Sequence, residues 1–181
     1  RILVAAGQSR SFGARGQYFL FARALYRGFP VNIFDNDGNK VARYQTDQYG
    51  VNVAAGREFG NYGSLILALS RYTGSAELQV GDPDLPDLDA DTGEFFVEAS
   101  VDRMNSIYLP RDGYVGALRY VASRESLGAS NDFEQLDFDG FLAHRFGKHS
   151  VLGGLRYHST ISGIAPIQSV YRVGGFGRLV G

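Results

Sequence analysis

Apolar and polar residues alternate along one segment after another of this chain, and this alternation constrains the fold more than any other feature. Residues 94–102 show it most clearly. The apolar residues there are Phe95, Val97, Ala99 and Val101, and the polar residues Glu94, Glu98, Ser100 and Asp102 lie at the positions between and beside them. Successive side chains of a β-strand point to opposite faces of the sheet, so this segment predicts a strand with one apolar and one acidic face. The same period of two recurs in residues 135–146 and 150–159.

The pattern predicts eight strands and no helix. They lie around residues 1–9, 16–34, 48–58, 63–80, 94–102, 113–123, 135–146 and 150–159. The 24 Gly, 11 Tyr and 13 Phe, with no Trp, favour β-structure as well. The first two segments alternate least regularly, and Pro30 in the second implies an edge, a bulge or a break.

The connections predict how these strands are joined. Compact turns rich in Gly, Asn and Asp are expected at Asp35–Asn39, Gly60–Gly63, Pro110–Gly113 and Gly147–His149. Short turns imply antiparallel neighbours, and longer polar segments lie at 81–93 and 123–132. From residues 63–80 onward short turns and long loops therefore alternate, as in an outer-membrane barrel.

Composition excludes several classes of protein. A formal net charge of -1 argues against nucleic-acid binding, and the absence of Cys excludes a disulfide scaffold and thiolate chemistry. The sequence has no run of about eighteen apolar residues, the length that a transmembrane helix needs. It begins at Arg1 without a charged-then-apolar signal segment, so we expect it to be part of a longer protein.

The same alternation also occurs in soluble β-sandwiches, lipocalin-like barrels and avidin-like cups. Two details favour a membrane barrel with a polar lumen. The polar side carries many charges, which a small packed interior would not accept: Glu98, Asp102, Arg119, Asp137, Asp139, Arg145 and Arg156. Tyrosines that an interfacial girdle needs recur near the predicted strand ends, at Tyr18, Tyr49, Tyr62, Tyr114 and Tyr157.

Three motifs give the chain a resemblance to a known family. They are Ser106–Tyr114, Ser123–Gly128 and the terminal Val173–Gly181, which reads Val-Gly-Gly-Phe-Gly-Arg-Leu-Val-Gly. The chain resembles the bacterial surface antigen superfamily of outer-membrane assembly and secretion barrels over its whole length. Within it, the chain is most similar to the barrel of patatin-like type V secretion proteins.

The resemblance implies an all-β fold, an antiparallel up-and-down transmembrane β-barrel of about sixteen strands, of which this chain supplies about eight. The segment 1–181 would be a single piece that ends in a glycine-rich lumen loop at 172–181. The connections at 35–39, 81–93 and 123–132 would then lie outside, and the other turns in the periplasm. Further strands, any periplasmic POTRA domain and a patatin-like domain would lie elsewhere in the protein.

The lumen-loop motif comprises Gly174, Gly175, Phe176, Gly177, Arg178 and Gly181. In the wider family this loop ends in a Val-Arg-Gly-aromatic tip, whose Arg reaches the barrel wall. Aligned from the Gly174–Gly175 pair, Val180 occupies the position of that Arg, and Arg178 is the candidate substitute. The alternative is that 174–181 is simply a flexible tail.

The sequence shows no evident set of catalytic residues. The sequence has no Gly-x-Ser-x-Gly elbow, and His144, His149 and His158 lack metal-site spacing. The acidic loop Asp82–Asp91 allows a calcium site, but its two prolines and its irregular ligand pattern favour a solvated loop. The charged residues that face the lumen would either guide a polypeptide that is translocated through the barrel or form ion pairs across neighbouring strands, and the ion pairs are the default interpretation.

The leading interpretation is a non-catalytic translocator or anchor segment in the bacterial outer membrane. It would contact outer-membrane lipid, use no cofactor or metal, and join a patatin-like phospholipase passenger elsewhere in the protein. The alternative is a free-standing eight-stranded barrel that binds a ligand, either a small outer-membrane adhesin or a soluble cup. An outer-membrane lipase would need a Ser–His pair, which the sequence does not suggest.

Overall fold

A computed structural model describes residues 2–35, 38–82, 88–89, 91–106, 108–166 and 169. Its strands are β1 (Ile2–Phe12), β2 (Tyr18–Phe34), β3 (Lys40–Glu58), β4 (Gly63–Val80), β5 (Leu88–Asp89), β6 (Thr92–Asp102), β7 (Gly113–Ser123), β8 (Phe133–Phe146) and β9 (His149–Gly163). The eight long strands confirm the eight predicted ones, and β5 is a two-residue addition. A 3-10 turn at Glu125–Leu127 follows β7. The part of the chain that the structure covers contains no helix long and apolar enough to cross a membrane.

The strands form one antiparallel up-and-down sheet in the order β1-β2-β3-β4-β6-β7-β8-β9, with β5 paired to β4. Each long strand is joined to the next by a connection at alternating ends of the sheet, which is why neighbours in sequence are neighbours in space. In the described part of the chain, β1 pairs only with β2 and β9 only with β8. The sheet is therefore open, as expected for part of a larger barrel.

The register assigns every side chain to one of two faces. The polar face carries the buried polar residues, whose exposed fractions are 0–6%: Thr46, Gln48, Asn52, Ser70, Thr92, Ser123 and Gln135. The apolar face carries large hydrophobic residues that are 40–63% exposed: Leu20, Tyr49, Val51, Val53, Leu65, Leu67, Leu69, Leu118, Leu142 and Leu155. This is the reverse of a soluble sheet, where the apolar face is the buried one.

The two ends of the sheet differ in their connections. The short-turn end carries residues 13–17, 59–62, 103–112 and 147–148, and the long-loop end carries 35–39, 81–91 and 124–132. Gly147 has a φ of 60°, as the first central residue of a type II′ hairpin turn requires.

The predicted compact turn at Pro110–Gly113 is only the end of the connection 103–112. Its shape is set by the side chain of Asn105, whose Oδ1 accepts hydrogen bonds from the amides of Arg111 (3.0 Å) and Asp112 (3.2 Å).

Strands β2, β3 and β4 project past their neighbours at the long-loop end. The pairing of β1 with β2 stops at Gly28, and that of β6 with β4 stops at Tyr72. Pro30 lies in this projection, opposite Gln45 on β3 and beyond the last described partner on β1, which agrees with the predicted edge position. The polar-face side of the projection is apolar, a change that the sequence analysis missed. Its buried cluster consists of Val31, Ala42, Tyr44 and Ala76.

Candidate functional site

All seven charges predicted to face the lumen lie on the polar face. The register places Glu98, Asp102, Arg119, Asp137, Asp139, Arg145 and Arg156 there. A row of side chains runs straight across four strands, because Glu98 lies opposite Arg119, Arg119 opposite Asp137, and Asp137 opposite His158. We call this row of Glu98, Arg119, Asp137 and His158 the charged belt of the polar face.

The charges on β8 and β9 make cross-strand pairs. His158 Nδ1 lies 2.9 Å from Asp137 Oδ1, and His158 Nε2 lies 3.6 Å from Asp139 Oδ2. Arg156 Nε lies 3.0 Å from Asp139 Oδ1. Arg156 and Asp139 are opposite charges on facing strands, and such a pair stabilises a sheet by about 0.2–1 kcal/mol. The hydrogen bond between His158 and Asp137 also joins these two strands.

A cavity of about 300 Å³ opens on the polar face, toward the long-loop end from the charged belt. We call it the arginine cavity. It is lined by Arg23, Arg27, Asn52, Ser70, Tyr72, Thr92, Glu94, Phe96, Arg119 and Ser169. Two polar contacts order its wall: Arg27 Nε donates to Gln48 Oε1 (2.8 Å), and Asn52 Nδ2 donates to Ser70 Oγ (2.8 Å).

Arg119 links the charged belt to the arginine cavity. Although its backbone lies between Glu98 and Asp137, its guanidinium carbon lies 4.0 Å from the centre of the Phe96 ring. Such a cation–π contact is worth about 0.5–2 kcal/mol and holds the guanidinium at the cavity wall. The Nε atom of Arg119 is buried, and the described residues offer it no hydrogen-bond partner. A buried donor without an acceptor is costly, so water in the cavity would stabilise this atom.

The alternation of the sequence predicted Arg119 for the polar face, but it indicated neither Arg23 nor Arg27. These two arginines lie on β2, where the alternation is weakest, and only the register brings them beside residues of β3, β4 and β6. Arg23 lies opposite Asn52, Asn52 opposite Ser70, and Ser70 opposite Glu94. The positions of the polar residues within β2 alone do not show that Arg23 belongs to a row that crosses four strands.

The chain returns to the polar face after β9. Gln135 Nε2 on β8 donates a hydrogen bond to the backbone oxygen of Ser169 (2.9 Å), and the Ser169 amide donates to Pro166 O (2.8 Å). Ser169 also lines the arginine cavity. The predicted lumen-loop residues Gly174, Gly175, Phe176, Gly177, Arg178 and Gly181, together with Val180, lie outside the described residues.

Aromatic and arginine side chains meet at the short-turn end. The Phe12 and Tyr18 rings stack with centres 5.7 Å apart, and Arg57 lies over the Tyr18 ring at 5.4 Å. Arg103 lies 3.5 Å from the centre of the Tyr62 ring. Aromatic rings beside cations are typical of a membrane–water interface.

The other predicted girdle residues are distributed differently. Tyr114 lies beside the start of β7, also at the short-turn end, whereas Tyr49 and Tyr157 lie within β3 and β9.

At the long-loop end, two ionic contacts fasten connections to strands. Burial raises the pKa of Asp91, but hydrogen bonds from Thr73 Oγ1, the Gly74 amide and Arg71 outweigh burial and leave the pKa below its ordinary value. Arg124 forms an ion pair with Glu134, and this hydrogen bond raises the pKa of Arg124. Asp91 is thus occupied by donors of β4.

The described residues show no evident metal site. Where the chain is described, no group of three or more His, Asp or Glu side chains could hold a metal ion. Asp84 and Asp87 of the acidic loop lie outside that part.

Comparison with known proteins identifies the family but no individual relative. No curated protein matches the chain. The family model described as the Omp85 superfamily domain, which corresponds to the bacterial surface antigen superfamily, matches residues 8–181. Proteins of this family are bacterial outer-membrane proteins, and the family supports a β-barrel role in translocation or assembly. The match covers nearly the whole chain and agrees with the open antiparallel sheet, so the chain belongs to the Omp85 superfamily.

Proposed function

We propose that this chain is a non-catalytic segment of a translocator or anchor barrel in the bacterial outer membrane. The observation that carries the proposal is the reversal of the two faces. Gln48 and Thr46 are 0% exposed on the polar face, whereas Leu67 and Leu155 on the apolar face are 55% and 63% exposed. In water this arrangement would leave an extended apolar surface uncovered, which monomeric soluble proteins rarely tolerate. Contact with lipid hydrocarbon would explain the exposed apolar face, and an aqueous bore would explain the polar face.

The polar face supplies the wall of that bore. Its charged belt and the arginine cavity would be hydrated, since a barrel of about sixteen strands encloses an aqueous channel. The terminal segment would enter this channel as the lumen loop 172–181. The contact between Gln135 and Ser169 supports this course, because it holds the chain against the polar face immediately before that segment.

The apolar face is tested by cysteine labelling, since this chain contains no Cys. Ala117 on the polar face and Leu118 on the apolar face are neighbours on β7, so Ala117→Cys and Leu118→Cys place a thiol at one depth but on opposite faces. In the full-length protein in lipid vesicles, with any other Cys replaced, a hydrophilic maleimide should label Ala117→Cys at least tenfold faster. Equal labelling of both variants by the hydrophilic reagent would rule out a lipid-covered face.

We further propose that the passenger linked to this barrel is a patatin-like phospholipase. The terminal motif Val173–Gly181 supports it through its resemblance to patatin-linked barrels. A Gly-x-Ser-x-Gly elbow is missing from the sequence, so any such catalysis belongs to another domain. The test is the reading frame that flanks this chain, which should encode a patatin-like domain with that elbow and confer phospholipase activity on the full-length protein. A reading frame that encodes no such domain would refute the proposed phospholipase passenger, but it would not affect the proposal that this chain is part of an outer-membrane barrel.

A further inference from the structure

One row of paired residues on the apolar face begins and ends with tyrosine. From β2 to β9 it consists of Tyr18, Arg57, Leu65, Ala99, Leu118, Phe138 and Tyr157. Tyr18 and Arg57 belong to the aromatic and arginine contacts of the short-turn end, whereas Tyr157 lies well inside β9. Because the row is perpendicular to the strands, it crosses the apolar region obliquely, from the short-turn side to the long-loop side.

Four tyrosines of the apolar face lie on the long-loop side of its large apolar residues. Tyr26 on β2 lies opposite Tyr49 on β3, Tyr120 lies on β7 opposite Val97, and Tyr157 lies on β9 opposite Phe138. We call Tyr26, Tyr49, Tyr120 and Tyr157 the tyrosine line.

Beyond the tyrosine line the same face of the sheet is mainly polar. On β9 the apolar Ile161 follows the line, at the bulge between β8 and β9. Arg124 and Glu134 form their ion pair beyond Tyr120. On β2, β3 and β4 the residues beyond the line are Gly28, Pro30, Asn32, Arg43, Gln45, Asp47, Thr73, Ser75 and Glu77.

The other face changes in the opposite sense. Nearer the short turns it carries buried polar residues such as Asn52 and Ser70, but in the projection of β2, β3 and β4 it carries the apolar cluster. The members of that cluster are 0–3% exposed, whereas Glu77 on the opposite side is exposed. The projection therefore has the polarity of a sheet in water, and the rest of these strands has the reverse.

The slope of the tyrosine line agrees with the strand tilt of a membrane barrel. Tyr157 lies in the row of Arg57, which is eight residues along β3 from Tyr49, and six strand-to-strand steps lead from β2 to β9. With a rise of about 3.3 Å per residue and about 4.8 Å between strands, the line is inclined by about 40° to the rows. A membrane plane makes this angle with the rows when strands tilt by about 35–45°.

The short-turn end runs parallel to the tyrosine line. Tyr18 begins β2 eight residues before Tyr26, and His149 begins β9 eight residues before Tyr157. At a tilt of about 40°, eight residues extend about 20 Å along the membrane normal. This height is close to the apolar band of such barrels, which is about 25 Å.

On the basis of the proposed outer-membrane barrel, we infer that lipid headgroups pack against the tyrosine line and that β2, β3 and β4 leave the bilayer there. Tyrosine suits this position, because its ring is apolar and its hydroxyl is polar. The Tyr26 hydroxyl donates to Asp47 Oδ1 (2.6 Å), which lies beyond the line. The projection is then a sheet that stands in water. It rises about 20 Å, since β2 continues for eight residues from Tyr26 to Phe34.

Nitroxide spin labels on single cysteines test this inference in the full-length protein in phospholipid vesicles, with any other Cys replaced. Val53→Cys and Gln45→Cys are a matched pair, because they lie four residues on either side of Tyr49 on the same face. Electron paramagnetic resonance measures how often each label collides with oxygen, which concentrates in hydrocarbon, and with a polar nickel chelate, which stays in water. The ratio of oxygen to nickel collisions should be about tenfold higher at Val53→Cys.

The row from Tyr18 to Tyr157 tests the slope of the line. Arg57→Cys, Ala99→Cys and Tyr157→Cys lie in this row on β3, β6 and β9. The collision ratio should be highest at Ala99→Cys, because the tilt of the strands brings this residue to about the middle of the bilayer.

Two results would overturn the inference and leave the barrel proposal standing. One is a ratio at Gln45→Cys as high as at Val53→Cys, and the other is a ratio at Ala99→Cys no higher than at both ends of its row. Low ratios at both Val53→Cys and Ala99→Cys would instead refute the lipid-covered face itself, and the inference with it. Migration of unheated samples in electrophoresis checks that each variant is folded. Glu77→Cys replaces Gln45→Cys if the latter does not fold, since Glu77 lies opposite Gln45.

Discussion

A charge placed on β4 should be costly on one face and tolerated on the other. Leu67 lies on the apolar face between Ala55 and Val97, and it is 55% exposed. Its neighbour Ile66 lies at the same depth on the polar face, between Gly56 and Glu98. We therefore expect Leu67→Arg to destabilise the protein in a bilayer far more than Ile66→Arg does.

The expected difference follows from what each side chain meets. Full burial of a Leu side chain is worth about 1.5–3 kcal/mol, so the exposed 55% of Leu67 contributes about 0.8–1.7 kcal/mol when lipid covers it. An Arg near the bilayer midplane raises the total cost to about 2–4 kcal/mol, which is about 30- to 700-fold in the folding equilibrium. Ile66→Arg gains Glu98 as a neighbour across the strand and should cost less than about 1.5 kcal/mol.

Reversible unfolding by urea in phospholipid vesicles measures both variants, followed by far-UV circular dichroism and by migration of unheated samples in electrophoresis. In a soluble sheet, replacement of an exposed Leu changes stability by no more than about 0.5 kcal/mol. Equal stabilities of the two variants, or a greater loss for Ile66→Arg, would refute the assignment of the faces.

Three further outcomes are expected from the described contacts. Gln48→Leu removes the acceptor of the Arg27 Nε hydrogen bond at a fully buried position and should lower the free energy of unfolding by about 1–3 kcal/mol in the same urea titration. Gly50→Ala places a Cβ 2.0 Å from the Arg71 backbone oxygen and should cost about 1–3 kcal/mol or more, whereas Gly153→Ala meets nothing within 4 Å and should be neutral. Because the pKa of Asp91 is lowered in the folded protein, its stabilisation of the 81–91 connection is present above about pH 4 and disappears as the pH falls through the folded pKa. Pepsin should cut this connection in the wild type only at the lowest pH, and in Asp91→Ala at every pH at which the protease is active.

The faces of the strands could be predicted from the sequence because alternation is a local property. In β6 the odd positions from Phe95 to Val101 are apolar and the even positions are mostly polar, and hydrogen bonding to neighbours does not change this assignment. The same holds for β8, where Asp137 and Asp139 lie on the face opposite Leu136 and Leu142. The sequence of a single strand is therefore enough to assign its side chains to the two faces of the sheet.

The arginine cavity could not be predicted in the same way, because it depends on register between strands. Arg23 and Glu94 fall on one row only because the register passes from one to the other through Asn52 on β3 and Ser70 on β4. A shift of one residue in any of these pairings would move a side chain to the other face. The register is set by the complete hydrogen-bond ladder and by the connections, which no single segment specifies.

The connection 103–112 shows a second limit. Pro110–Gly113 has the composition of a compact turn, yet the chain leaves β6 at Asp102 and turns over a longer path. The two sides of the connection stay joined by backbone hydrogen bonds from Arg103 N to Tyr114 O (2.7 Å) and from Asn105 N to Asp112 O (3.1 Å), and the Asn105 side chain adds to them by accepting the amides of Arg111 and Asp112. Asn competes with regular structure through such side-chain contacts, and its sequence position alone does not say when it does so.

The edges of the sheet add a constraint that connects the faces to the family. In the described chain β1 and β9 each have one side without a strand partner, so the backbone N–H and C=O groups that point to that side have no ladder hydrogen bonds to a described strand. In water such groups bind solvent, but in hydrocarbon each unsatisfied group costs several kcal/mol. If the apolar face meets lipid, as proposed, these edges have to be joined by further strands. With lipid on the apolar face, the open edges thus lead to the conclusion that this sheet is one arc of a larger closed barrel.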